Sequence, residues 1–170
     1  MTVAFYIAAA VAVASTVLVI TRTNAVHALL YLVVSFLSSG LMFYVLGAPF
    51  AAALEVIIYA GAIMVLFLFA VMLLNVARGP GEHEREWMRA RAWIVPVVLV
   101  AILLAELVYV AASGGAGAAD AAGTAAAQAP VGPKQVGVAL FGPYVLGVEL
   151  ASVLLLAGLV GAHRLTREEE

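Results

Sequence analysis

The chain has 170 residues, 66% hydrophobic and 11% charged, and a water-soluble domain of that size has too little interior to hide so much apolar surface. A formal net charge of −2 offers no basic face to nucleic acid, so no nucleic-acid partner is expected. Cysteine is absent, which excludes disulfides, cysteine-ligated iron–sulfur clusters and thiol catalysis within this chain. What remains is a small polytopic membrane protein with the lipid bilayer as its solvent.

About 20 apolar residues in a helix cross a hydrocarbon core of roughly 30 Å. Five stretches meet that length: 3–20, 25–46, 52–77, 92–112 and 138–162. None alternates in the manner of a barrel strand, and each is far longer than one. The fold class predicted is all-α, a polytopic integral membrane protein with five transmembrane helices in a single membrane domain, 1–170.

The first stretch has no basic residue before it, since Arg22 is the first, and so it reads as a retained helix rather than a cleaved leader. Residues 21–24 and 47–50 are tight turns that group the first three helices antiparallel. A charged segment, 78–91, follows the third span. The fourth is interrupted only by Pro96, Glu106 and Tyr109, and the fifth by Pro143 and Glu149. Between them, 113–135 is rich in Gly, Ala and Pro and reads as a flexible outer loop.

Basic residues set the orientation. Arg22, Arg78, Arg85, Arg89, Arg91, Arg164 and Arg167 fall on one side and only Lys134 on the other. The N-terminus and the Gly/Ala loop are therefore expected outside, with the C-terminus and its 168–170 glutamate tail cytoplasmic. Trp87 and Trp93 then lie at the inner interface, and Tyr6, Tyr44, Tyr109 and Tyr144 nearer the outer one.

Three carboxyl groups enter the predicted spans: Glu55, Glu106 and Glu149. A charge at membrane depth costs about 2.5–3.5 kcal/mol on insertion scales, and such residues usually face protein or water and often line proton paths. By the predicted spans, Glu149 lies within about two residues, roughly 3 Å, of the midplane. Glu106 is about four residues from the centre of its helix, and Glu55 one turn inside the outer end of the third. Snorkelling of Glu55 to the interface and packing hydrogen bonds for the other two are the alternatives to a path. No Lys or Arg lies at membrane depth to pair with them. His27 and His163 fall near the inner interface and His83 in the charged segment, in no metal-binding pattern, so no metal or cofactor site is expected. Small residues at helical spacing, Ser35/Ser39, Gly147/Ala151 and Ala157/Gly161, mark packing faces.

The third span reads EVIIYAGAIMVLFLFAVMLLN over 55–75. Glu55 and Tyr59 are four apart and share a helix face. Ala60-Gly61-Ala62 then supplies a turn with little side-chain bulk. Glycine beside a bulky tyrosine suits a π-bulge, and equally a simple kink or a close helix contact. This stretch, together with Asn24-Ala-Val-His27 before the second span, resembles the subunit J (ND6-type) membrane component of respiratory complex I, specifically through residues 20–78 and more loosely beyond.

That resemblance implies a membrane-arm subunit of a proton-pumping NADH:quinone oxidoreductase, an enzyme subunit with no redox centre of its own. FMN, iron–sulfur clusters and quinone would belong to other subunits, and the partners would be the quinone-site and antiporter-like membrane subunits. It also implies a third helix that interconverts between π and α forms around Tyr59–Gly61 to open a water path, with Glu55 near its start. Loss of one inserted residue turns the helix beyond it by about 100°, which would swing Val65 and Phe67 into or out of a hydrated file. Glu106 and Glu149 match no motif of that family and are proton-path candidates on depth alone. Two other readings stay open: a J-like subunit of a ferredoxin-linked, hydrogenase or cation-antiporter complex, and a stand-alone small proton or ion channel.

Overall fold

In the computed structural model the described residues are 2–76, 90–112 and 130–167, and among them all regular structure is helical. Two units, Met1–Pro130 and Val131–Glu170, divide the chain. Among the described residues five helices are long and apolar enough to cross a membrane: Thr2–Thr21, Ala25–Val45, Pro49–Leu73, Trp93–Ala112 and Val145–Leu165. The all-α, five-span expectation holds. The charged segment up to residue 89, with Trp87 and His83, lies outside the described residues, as do the Gly/Ala stretch 113–129 and the 168–170 tail.

In the first unit, α1 (Thr2–Thr21) and α2 (Ala25–Val45) pack along their length. Asn24 starts α2: its side-chain oxygen accepts hydrogen bonds from the Val26 and His27 amides at 3.0 and 3.3 Å, satisfying two donors that a helix start leaves open. Across the interface α1 presents Ala4, Ala8, Val11 and Ser15, all buried. Such small residues let backbones approach closely, and hydroxyls then bond between helices. The Ser38 hydroxyl donates to the Ala8 carbonyl, and the Thr16 and Ser35 hydroxyls meet at 2.9 Å. Nearer the turn, the Arg22 guanidinium lies 5.5 Å from the centre of the Tyr31 ring.

α2 ends in a tight reversal. The Ala48 amide bonds to the Phe43 carbonyl at 2.9 Å and the Gly47 amide to the Tyr44 carbonyl at 3.1 Å, a pairing that needs a left-handed residue between helix and turn. Gly47 supplies it at φ +82°. Pro49, whose missing amide is no loss at a helix start, opens α3 (Pro49–Leu54). The chain then passes without a break into a π-helical segment, Glu55–Ile63, and returns to α-helix in α4 (Met64–Val76). α5 (Ala90–Ala112) packs on α1 and α2 through a buried stripe of Pro96, Leu103, Glu106 and Val110. Leu103 joins Ala8, Val11, Val34 and Leu41 in the core.

The second unit departs from the expected single span 138–162. It holds two helices, α6 (Pro133–Leu140) and α7 (Val145–Arg167). Pro143 is the cause: it has no amide to bond the fourth carbonyl back, and its ring clashes there. The Tyr144 amide reaches Ala139 instead, at 3.1 Å, and α7 starts only at Val145. The helix also begins earlier than the outer loop was expected to end, since Pro133 occupies its first turn and the Gln135 side chain accepts from the Gly132 amide at 3.1 Å.

Candidate functional site in the third span

An α-helix closes each amide on the carbonyl four residues back, whereas a π-helix closes on the fifth and widens the turn by one residue. At the exit of the π segment the Met64 amide bonds to the Tyr59 carbonyl, five residues back. The segment covers the whole of EVIIYAGAI, from Glu55 through Ile63, and so includes Tyr59 and Gly61. Of the three local conformations open to this stretch, a π-bulge, a kink or a close contact, the structure adopts the first.

Gly61 sits where that register is tightest. A Cβ built on it would stand 3.3 Å from the Val56 carbonyl oxygen, closer than ordinary van der Waals contact and again five residues back. Glycine therefore relieves the wide turn at the point where any side chain would begin to crowd it.

Gly40 and Phe36 are among the α2 residues that meet the segment, and neither stands out in the sequence on its own. Gly40 is buried, and a Cβ on it would lie 3.5 Å from the Ala52 carbonyl, 3.6 Å from Val56 Cγ2 and 3.7 Å from Glu55 Cβ. One turn earlier, the Phe36 ring packs against Tyr59 with centroids 5.3 Å apart and planes tilted by 52°. A lone glycine inside an apolar span, four residues after an aromatic, is the signal that marks this face. Beside it an apolar cavity of about 420 Å³ opens between α2, the end of α3 and α5, with Gly40, Ala52, Val56, Leu103 and Leu107 in its wall.

The other predicted site residues are more dispersed. Glu55 is half-buried as the first residue of the π segment. Val65 and Phe67 are exposed on α4, immediately beyond it. Glu106 is elsewhere: it lies on the α5 stripe that faces α1 and α2, is only 6% exposed, and neither carboxyl oxygen has a hydrogen-bond partner. Glu149 is exposed on α7, one turn from the start of that helix. Because Pro143 delays the helix, Glu149 lies about six residues, or ~9 Å, from the middle of its span, not close to the midplane as the longer span implied. His27 packs its ring edgewise on Trp93, centroids 6.1 Å apart, with Nε2 buried and unbonded. Among the described residues no three His, Asp or Glu side chains gather as a metal site.

The π segment thus opens on a carboxyl and contains both Tyr59 and Gly61. Comparison with known proteins gives that feature a setting. The model of the NADH-ubiquinone/plastoquinone oxidoreductase chain 6 family matches residues 15–165. The NADH-quinone oxidoreductase subunit J of Escherichia coli (strain K12) is 53% identical over 166 residues, covering 98% of this chain and 86% of that one. The protein of the same name from Pseudomonas aeruginosa is 52% identical over 166 residues, 98% and 96% of the two chains. That from Rhodobacter capsulatus is 36% identical over 167 residues, 96% and 80%. The matched region takes in the Asn24 cap, the Gly47 reversal and the entire π segment, and on that evidence the chain belongs to the NADH-ubiquinone/plastoquinone oxidoreductase chain 6 family.

Proposed function

We propose that this chain is a membrane-arm subunit of a proton-pumping NADH:quinone oxidoreductase and that its π segment is a switch coupling quinone reduction to proton movement. The observation that carries this reading is the π-helix at Glu55–Ile63 inside the family's matched region. Each inserted residue stores about 100° of rotation that is released on return to α-helix. With α3 seated on α2, the moving part is α4, and Val65 and Phe67 sweep around its axis. Apolar side chains that enter or leave a narrow file dry or wet it, which gates protons without any redox chemistry here. Glu55, half-buried at the head of the segment, is the carboxyl at the start of the path. Glu106 and Glu149 are the two further carboxyls proposed for it; Glu106 exchanges a proton only when water reaches its sealed site.

Flavin, iron–sulfur clusters and quinone belong, on this reading, to neighbouring subunits, and the partners are membrane subunits at the quinone site and in the antiporter-like chain. The chain sits in a bacterial inner membrane with its N-terminus outside. Gly61→Val tests the switch. Its branched side chain crowds the Val56 carbonyl and biases the helix against the π form. We expect assembled complex, normal electron transfer to artificial acceptors, and a several-fold loss of quinone-coupled proton pumping in membrane vesicles. Full pumping with the complex assembled would remove the π segment from the mechanism.

A further inference from the structure

We propose that Phe36 on α2 is a positioning residue that selects the π register of the third span, with Gly40 as the fixed seat from which that register is measured. The inference rests on the switch reading above and adds what holds the switch in one state. Gly40 lets α2 close on the head of the segment: the Ala52 carbonyl, Glu55 Cβ and Val56 Cγ2 all lie within 3.5–3.7 Å of where its Cβ would stand, so the end of α3 packs directly against α2 there. Tyr59 is four residues beyond Glu55 and inside the π segment.

Its direction therefore depends on the register. Four residues advance about 330° in a π-helix and 400° in an α-helix, a difference of about 70°. At the outer radius of a helix, about 6 Å, that rotation carries the Tyr59 ring some 7 Å sideways. The observed ring contact with Phe36, 5.3 Å between centroids, cannot survive such a shift. Phe36 thus touches Tyr59 in the π form and loses it in the α form. A ring pair of this geometry biases a two-state equilibrium by about 2- to 12-fold, enough to set the resting state while leaving it reversible. Phe36 and Gly40 are four apart on α2, so one helix face carries both the seat and the detent.

The test reads the rotation of α4 directly. The chain has no cysteine of its own, so thiol label found on it reports an introduced site alone. Single variants Val65→Cys, Leu66→Cys, Phe67→Cys and Leu68→Cys scan one turn in the assembled complex, and N-ethylmaleimide incorporation into this chain is measured by mass spectrometry. We expect one position to label best at rest, and Phe36→Leu to move label toward the neighbouring position on the N-terminal side by about 2- to 12-fold. Phe36→Tyr, which keeps the ring, should retain the resting pattern; Phe36→Met replaces Phe36→Leu in the scan should the latter not assemble. If turnover shifts the wild-type pattern by one position while loss of the Phe36 ring leaves the resting pattern unchanged, Phe36 does not select the register and the switch stands without it. If turnover moves nothing in the wild type, the switch itself is wrong and this inference falls with it.

Discussion

At Glu106 two roles predict opposite results. Both its oxygens are sealed and unpartnered between α5 and the α1–α2 pair, an arrangement that costs stability because the lost hydration is not replaced. If the residue only packs, Glu106→Leu should be neutral or stabilising by about 1–3 kcal/mol, by the same asymmetry that favours apolar replacements of buried unpaired polar groups. Membership of a proton path adds a second effect, a loss of pumping that stability does not show. We expect the thermal midpoint of the assembled complex to hold or rise in Glu106→Leu while pumping falls, with both measured on the same preparation. Retained pumping would assign Glu106 to packing alone. Ser38 is simpler. It is fully buried and donates to the Ala8 carbonyl, so Ser38→Ala should cost about 0.6 kcal/mol, the typical worth of such a bond in a membrane, and at most about 1.7. The positions of Glu55 and Glu106 along their spans could be read from the sequence, but the face each occupies could not. Glu55 heads the π segment and Glu106 faces another helix pair, because azimuth depends on the π turn and on which helices α5 meets.

The elements owe their ends to a few residues. Asn24 holds the start of α2 with two backbone amides, and Asn24→Ala should cost about 0.5–2 kcal/mol, visible as reduced thermal stability of the assembled subunit. Gly47 alone among the described residues adopts positive φ, and Gly47→Ala should cost about 1–2 kcal/mol although nothing lies within 4 Å of the added methyl. Gly47→Ala and Gly61→Val together distinguish conformational strain from crowding, since Gly47 has open space and Gly61 does not. Both ends are legible in sequence as Asn before an apolar run and Gly before Pro. Pro143 was equally visible, yet counting apolar residues carried the fifth span straight through it. A hydropathy count is blind to a missing amide.

Among the described residues only a small set forms a core, and the span Val145–Leu165 buries none of its own. A soluble chain with so many exposed Leu, Val and Phe side chains would aggregate, whereas such exposure suits an integral membrane protein. The orientation expected from the distribution of arginines is tested at the two short turns. Single variants Thr23→Cys and Ala48→Cys, in a chain without other thiols, should differ in intact cells: an impermeant maleimide labels position 48 from outside and position 23 only after the membrane is opened. The reverse pattern would overturn the predicted orientation. Native electrophoresis of solubilised membranes should place the chain in a large complex rather than alone, as expected of a subunit whose apolar faces need partners.

The amino-acid sequence by itself determined the solvent, the number of membrane-length helices, the tight turns at 21–24 and 47–50 and the family, because each rests on composition or on short-range bonding within a few residues. It also pointed to Tyr59–Gly61 as a place where the helix could change, without choosing among bulge, kink and contact. The tertiary structure decided that choice. A π turn forms or not according to what lies against it, and Gly40 and Phe36, some twenty residues away in the chain, come to lie against this one only when α2 and the third span pack. For the same reason the sealed position of Glu106 emerged only with the bundle: burial is a property of neighbours, and neighbours are set by the fold.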